Sequence, residues 1–307
     1  MIIDKIKSFF TYDPFVENTF DKNYKEILSN VKEIELKAQM LVDGFFNGAY
    51  HSIFKGRGIE FSDIREYEYA DDFRSIDWNV SARLNKPYVK KFVEERDLDL
   101  YVLFDLSSSN FFGKDIDKFT YNLYIAISFL FAGVKNNDKI SLVGYTDDID
   151  LYMPPRKGKK YALAIIDSLI KNIKFQNKSS NLKNILSKMT KIAKKKSIIV
   201  IISDFMEDKD YLSEIKNLTK RNQVFSIISY DKNEYEIPQG MGIIEVEDLE
   251  TGENKFIDTE DKKFIENYKK EIEKYTNELK NDLRKYGSLV VSISTQDDIY
   301  KALKVKR

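Results

Sequence analysis

Apolar positions along the chain follow two different rhythms. Between Tyr24 and Val42, residues Ile27, Leu28, Val31, Ile34, Ala38, Leu41 and Val42 recur at spacings of three and four, which predicts one face of an amphipathic helix. Gly44 and Gly48 loosen the chain after it. Residues 56–95 then form a segment dense in charge and aromatics, with short β-like alternations and the only tryptophan, Trp78. From Asp99 the rhythm changes to short apolar runs: Leu100 to Phe104, Ile140 to Tyr145, Ile198 to Ile202 and Val224 to Ile228. These are too continuous for strands with one wet face, and buried parallel strands fit them best. Between them, Asp117 to Val134, Lys159 to Ile173, Leu182 to Lys195 and Lys209 to Arg221 carry apolar residues at helical spacing. The alternation predicts an α/β fold: a doubly wound, mainly parallel, Rossmann-like sheet with helices on both faces.

After Tyr230 the pattern predicts a hairpin through Ile243–Val246, Asp248–Gly252 and Lys255–Ile257. A long helix follows, with Phe264, Ile265, Tyr268, Ile272, Tyr275, Leu279 and Leu283 on one face and Gly287 as its stop. Leu289 to Ile293 reads as a last strand, and Asp298 to Lys304 as a last short helix. The expected division is an N-terminal helical and small β-rich extension over residues 1–97 and an α/β domain over 98–307. The uncharged run from Phe119 to Val134 is shorter than the roughly 20 residues a bilayer requires. It also contains Thr120, Asn122 and Ser128, so it reads as a buried helix. Asp4, Lys5 and Lys7 interrupt the apolar start of the chain, so neither a signal peptide nor direct membrane insertion is expected, and a cytoplasmic location is.

Composition narrows the chemistry. Fifty Lys plus Arg balance 50 Asp plus Glu, which argues against the long-range attraction that draws basic proteins to nucleic acid. The absence of Cys removes disulfides, thiolate metal sites and Cys nucleophiles together. A single histidine, His51, makes zinc ligand sets and His-based triads improbable.

The sharpest local signal is Phe104-Asp105-Leu106-Ser107-Ser108-Ser109, an apolar strand ending in Asp-x-Ser-x-Ser. At the carboxyl end of a central strand, one carboxylate and two hydroxyls two residues apart can converge in the crevice where such sheets bind ligands. All three are hard oxygen donors, suited to Mg²⁺ or Mn²⁺. The run Ile199 to Ser203 also ends in an acid, Asp204, which lies beside Asp105 if the two strands are neighbours. The plainer reading makes Asp105 and Ser107 helix caps and Asp204 a turn residue.

Asp105 to Ser109 with Asp204 on a later strand resembles the metal-ion-dependent adhesion site of von Willebrand factor A domains. That resemblance implies a further hydroxyl from a loop between the strands at Tyr145 and Ile198. The sequence there is Ser179-Ser180-Asn181-Leu182, so Ser180 takes a position where the family carries Thr. Upstream, Gly58-x-Glu60-Phe61, Arg65-Glu66-Tyr67, Asp71-Asp72-x-Arg74-x-Ile76-Asp77-Trp78 and Ser81-Ala82-Arg83 resemble the signature of domain-of-unknown-function family 58. At Ala70-Asp71-Asp72 the family more often carries Gly-Asp. The resemblance implies a von Willebrand factor A-like domain joined to this segment, association with a MoxR-type AAA+ ATPase, and, through such partners, a peripheral place at the inner membrane.

In physical terms, Arg65, Arg74 and Arg83 alternate with Glu66, Asp71, Asp72 and Asp77 closely enough for a guanidinium–carboxylate network. Two roles remain open: a buried brace with Trp78 as packing anchor, or an arginine cluster for a partner's carboxylates or a phosphate. Gly56-x-Gly58 lacks the strand and helix of a phosphate loop, and Lys188, Lys191 and Lys194 to Lys196 suit a solvated helix end. The reading that follows is a non-catalytic module holding Mg²⁺ or Mn²⁺ through Asp105, Ser107, Ser109, Ser180 and Asp204, with a coordination position open to a partner protein's carboxylate. Its rival is a Mg²⁺-dependent phosphoryl-transfer enzyme with Asp105 as nucleophile.

Overall fold

The structure is a computed structural model and describes residues 32–37, 59–69, 71–94, 98–111, 118–172, 179–237, 240–247 and 254–303. The four apolar runs are the centre of a six-stranded sheet: β3 (Asp99–Asp105), β4 (Lys139–Tyr145), β6 (Ser197–Ser203) and β7 (Gln223–Tyr230). With β5 (Ile149–Arg156) and β10 (Leu289–Ser294), the strands run in the order β10-β7-β6-β3-β4-β5. Every pairing is parallel except β4 with β5. The expected doubly wound α/β fold is therefore the one observed.

The strands read as continuous apolar runs because both faces of the sheet are covered. α2 (Lys118–Lys135) and α3 (Lys159–Asn172) lie on one face, where Phe119, Leu123, Ile165 and Ile166 meet Leu100, Val102, Ile198 and Val200. α4 (Leu182–Ile192), α5 (Leu212–Thr219) and α7 (Lys262–Lys285) cover the other, where Ile185, Ile215 and Leu279 meet Leu103, Ile199 and Ile201. α2 sits close to the sheet at Gly133, where an added Cβ would come within 2.7 Å of both Leu100 and Ile140. Gly287, at φ +89°, turns the chain out of α7 as the sequence predicts. The short helices α6 (Lys232–Tyr235) and α8 (Ile299–Ala302) and the predicted hairpin, β8 (Ile243–Glu247) with β9 (Asn254–Asp258), complete this part.

β5 is an element the apolar pattern does not reveal. Its residues alternate between half-buried and exposed, and it carries Asp150, Pro154 and Pro155. It is the antiparallel edge strand, where one wet flank tolerates prolines. Upstream, β1 (Ile59–Glu66) pairs antiparallel with β2 (Tyr88–Glu94), and between them stands α1 (Trp78–Leu84), a helix too short and polar to show in the pattern. Of the helix predicted over Tyr24–Val42, residues 32–37 are helical; the rest, like His51, Gly56, Gly58 and Asp248–Gly252, lies outside the described residues.

Candidate metal site at the carboxyl edge of the sheet

Strand order sets the location. The chain leaves β3 toward β4 on one side and later returns to β6 on the other, so the carboxyl ends of β3 and β6 flank the topological switch point. Asp105 is the last residue of β3, and Asp204 directly follows β6. Asp105 is 2% exposed and its two oxygens are anchored differently. Oδ1 accepts the Ser107 N–H at 2.9 Å and Oδ2 accepts the Ser203 hydroxyl at 2.9 Å. The Ser107 and Ser109 hydroxyls are 3.1 Å apart, and the Ser109 hydroxyl helps to hold the Asp204 carboxyl down. Asn110 Nδ2 donates to the Asp105 carbonyl at 2.9 Å and so folds the loop back on the strand end.

The turn after β6 is held against its own preference. Phe205 has φ +56°, a left-handed conformation costly for a bulky residue. Its carbonyl accepts hydroxyl bonds from Tyr275 at 3.0 Å and Tyr211 at 3.3 Å, which hold that turn in place. Asp204 Oδ1 accepts the Met206 N–H at 3.1 Å, while Oδ2 accepts Lys118 Nζ at 2.9 Å. Lys118, 1% exposed at the start of α2, also donates to Glu234 Oε1 at 2.7 Å.

Burial first, and then the charge of Asp204, push Asp105 up to about 7. Burial would raise Asp204 as well, but the Lys118 ammonium outweighs it and holds that carboxyl below the usual range. Burial alone would push Lys118 down; the charges of Asp204 and Glu234 overcome it and raise it. The pair at the strand ends thus differs in character: the Lys118 ammonium favours the ionised form of Asp204, while burial and Asp204 disfavour that of Asp105.

Ser180 is on the same edge but has a different immediate partner. Its hydroxyl donates to Glu207 Oε1, and Glu207 Oε2 accepts the Leu182 N–H at 2.9 Å at the start of α4. Asn181 N–H donates to the Thr146 carbonyl at 3.0 Å, fixing this loop to the end of β4. Asp105, Ser107, Ser109 and Asp204 therefore form one bonded cluster, which Ser180 flanks through Glu207.

The donor set fits a hard divalent cation. Among the described residues no group of three or more His, Cys, Asp or Glu gathers to hold a metal. The cluster instead offers two carboxylates and several hydroxyls, an all-oxygen set of the kind Mg²⁺ accepts alongside its own waters. The fully buried Tyr145 hydroxyl feels the charges of Asp105, Glu207 and Asp204 and lies beside Ser203 without ordinary hydrogen-bond geometry. A metal-bound water would give it a partner.

Lys118, Ser203, Glu207 and Glu234 escape sequence reasoning. Lys118 carried a weak signal, as the charge directly before the uncharged run from Phe119. Glu207 carried another, three residues after Asp204.

The signature segment differs from the buried brace. Trp78 is 59% exposed and packs edge to face on Phe73, itself 64% exposed, with ring centroids 5.3 Å apart. Asp72 and Arg83 are exposed too. Arg65 pairs with Asp71, and Asp77 caps α1 by accepting the Asn79 and Val80 N–H groups. The Arg74 side chain lies outside the described residues. Local turn and capping bonds take up Arg65, Asp71 and Asp77.

Residues 63–278 match the family described as protein of unknown function DUF58. The chain belongs to the DUF58 family. Uncharacterized proteins of Mycobacterium bovis and Mycobacterium tuberculosis are 22% identical to it over 229 residues, covering 74% of this chain and 72% of theirs. Two solved structures, each 13% identical, cover 67% of this DUF58 chain and 95% of their own. They are the conserved hypothetical protein BatB of Bacteroides thetaiotaomicron, with a TM-score of 0.42, and an aerotolerance-related membrane protein of Bacteroides fragilis, with 0.43. Among the described residues of this DUF58 protein, no helix is long and apolar enough to cross a membrane.

Proposed function

We propose that this DUF58 protein is a non-catalytic module that captures other proteins through a divalent cation, Mg²⁺ or Mn²⁺. The observation that carries the reading is the convergence of Asp105, Ser107, Ser109 and Asp204 at the switch point, with Asp105 pushed up to about 7 by burial and by Asp204. A bound cation supplies a local positive charge to a partner's carboxylate at a site that otherwise repels it. Ser107 and Ser109 would hold it directly, Asp105 and Asp204 directly or through water, and Ser180 would complete the set from the α4 side. The partners we favour are a MoxR-type AAA+ ATPase and the proteins it assembles or remodels, in the cytoplasm or at the inner membrane through those partners.

The rival phosphoryl-transfer reading asks Asp105 to attack a substrate. That chemistry usually needs an acid or base close to the nucleophile, and the residue two positions on from Asp105 is Ser107, which offers neither. Calorimetric titration of the chelator-stripped protein with Mg²⁺ tests the proposal: one site in the wild type, none in Asp105→Ala. Capture of a MoxR-type AAA+ ATPase should need Mg²⁺ and fail in EDTA. Capture indifferent to EDTA sinks the mechanism, and Asp105-dependent hydrolysis of a phosphoester moves the reading to the enzyme.

A further inference from the structure

Glu207 makes a fork that joins two loops of the candidate site. One oxygen takes the Ser180 hydroxyl proton and the other the Leu182 N–H, so a carboxylate from the loop after β6 grips both the side chain and the backbone of the loop before α4. Asn181 caps α4 by accepting the Asn184 N–H at 3.0 Å, and Glu207 adds a second acceptor at the Leu182 N–H while its other oxygen reaches Ser180. Glu207 is half-buried and three residues from Asp204, so the fork ties two of the three loops of the candidate site together.

We infer that Glu207 is the positioning residue that makes Ser180 a cation ligand, an inference that rests on the metal-dependent reading above. A serine hydroxyl has one proton to donate and two lone pairs to offer. Left alone, a serine side chain has three staggered positions, and it readily turns its oxygen toward nearby backbone instead. By accepting the proton, Glu207 fixes the rotamer and leaves both lone pairs of Ser180 for a cation. A threonine gains part of that stiffness from its branched Cβ, without a partner. Serine at this position needs an external hold, and Glu207 supplies it. The carboxylate is tolerated there because the positive end of α4 faces it through the Leu182 N–H.

The test is a Mg²⁺ titration of four full-length proteins: wild type, Glu207→Ala, Ser180→Thr and the double variant. Outer-shell partners of metal ligands typically contribute about 10- to 100-fold in affinity, so Glu207→Ala should weaken Mg²⁺ by that order. Ser180→Thr alone should change it little, and the double variant should recover most of the loss. That recovery separates positioning from a merely structural tie, because a threonine cannot mend a loop that has come apart. Should Glu207→Ala not fold, Glu207→Met carries the same comparison, since it keeps bulk beside Ser180 and removes the acceptor oxygen. Equal or tighter binding in the Glu207 variants, or a double variant no better than Glu207→Ala, overturns this inference alone. A wild type that takes up no Mg²⁺ overturns the metal reading itself and this one with it.

Discussion

Lys118 Nζ and Asp204 Oδ2 meet at 2.9 Å although 86 residues separate them in sequence. The bond joins the start of α2 to the turn after β6, and Glu234 extends it at 2.7 Å to the helix that follows β7. One buried ammonium therefore serves two carboxylates while a third, Asp105, stands close by. The protein supplies part of the site's positive charge itself, and a divalent cation would supply the remainder.

Removing that ammonium should be costly. Lys118→Met leaves Asp204 and Glu234 buried without their cation, and breaking a buried pair from one side costs about 3 to 5 kcal/mol. Chemical denaturation should show a loss of that size. A loss under about 1 kcal/mol would mean that water reaches the carboxylates, and that the site lacks the low-dielectric character argued for it.

The signature segment gives the opposite expectation for its most conspicuous residue. Trp78 is mostly exposed, so Trp78→Ala forfeits chiefly its edge contact with Phe73, worth about 0.5 to 1.5 kcal/mol. Asp77→Ala removes the cap of α1, and such caps are worth about 0.5 to 2 kcal/mol. Denaturation should rank Asp77→Ala as at least as damaging as Trp78→Ala. A drop of several kcal/mol for Trp78→Ala would restore the packing-anchor role.

Much of this was legible in the chain because burial on both faces writes strands as unbroken apolar runs. β3, β4, β6 and β7 were read that way, and the carboxyl-terminal acids of β3 and β6 could then be placed on one edge. β5 was not legible, because an edge strand with one wet flank mixes Asp and Pro into its pattern. At the site, hydroxyls and carboxylates in a short motif stand out, whereas Lys118 and Glu207 act through partners more than 20 residues away. Trp78 misled for a related reason. Burial is a weaker inference from residue type when neighbouring charges find short-range partners, as Arg65 does with Asp71 and Asp77 with its own helix.

Asp138, fully buried in the turn between α2 and β4, gives a pH dependence away from the site. Burial pushes it up to about 8, against the Leu98 N–H and Lys157, which pull it down. An unfolded aspartate titrates near 3.9. The folded state therefore binds the extra proton between these values, so the contribution is full below about pH 4 and is lost as pH rises through about 8. Asp138→Asn keeps an acceptor and cannot ionise. Its stability should fall less steeply than that of the wild type between pH 5 and 8, gaining on it by roughly 3 to 4 kcal/mol over that span. Parallel slopes for the two proteins would contradict the assignment.

Asp105 and Asp204 should respond differently to loss of charge, because only one of them has a cation of its own. Asp105→Asn keeps an acceptor for the Ser107 N–H and turns an amide toward the Ser203 hydroxyl, which can accept from it. It also removes a buried negative charge that burial and Asp204 both disfavour. The metal-free variant should therefore melt higher than the metal-free wild type. Asp204→Asn instead weakens the hold on Lys118 and should melt lower. With saturating Mg²⁺ the order should reverse for the first pair: the wild type gains stability from a ligand bound only to its folded state, and Asp105→Asn gains none. Melting curves of the three proteins with EDTA and with excess Mg²⁺ decide it. If Asp105→Asn lowers the metal-free melting temperature as far as Asp204→Asn does, Asp105 is a structural acceptor for its loop, and the case for an adhesion-type site at β3 fails.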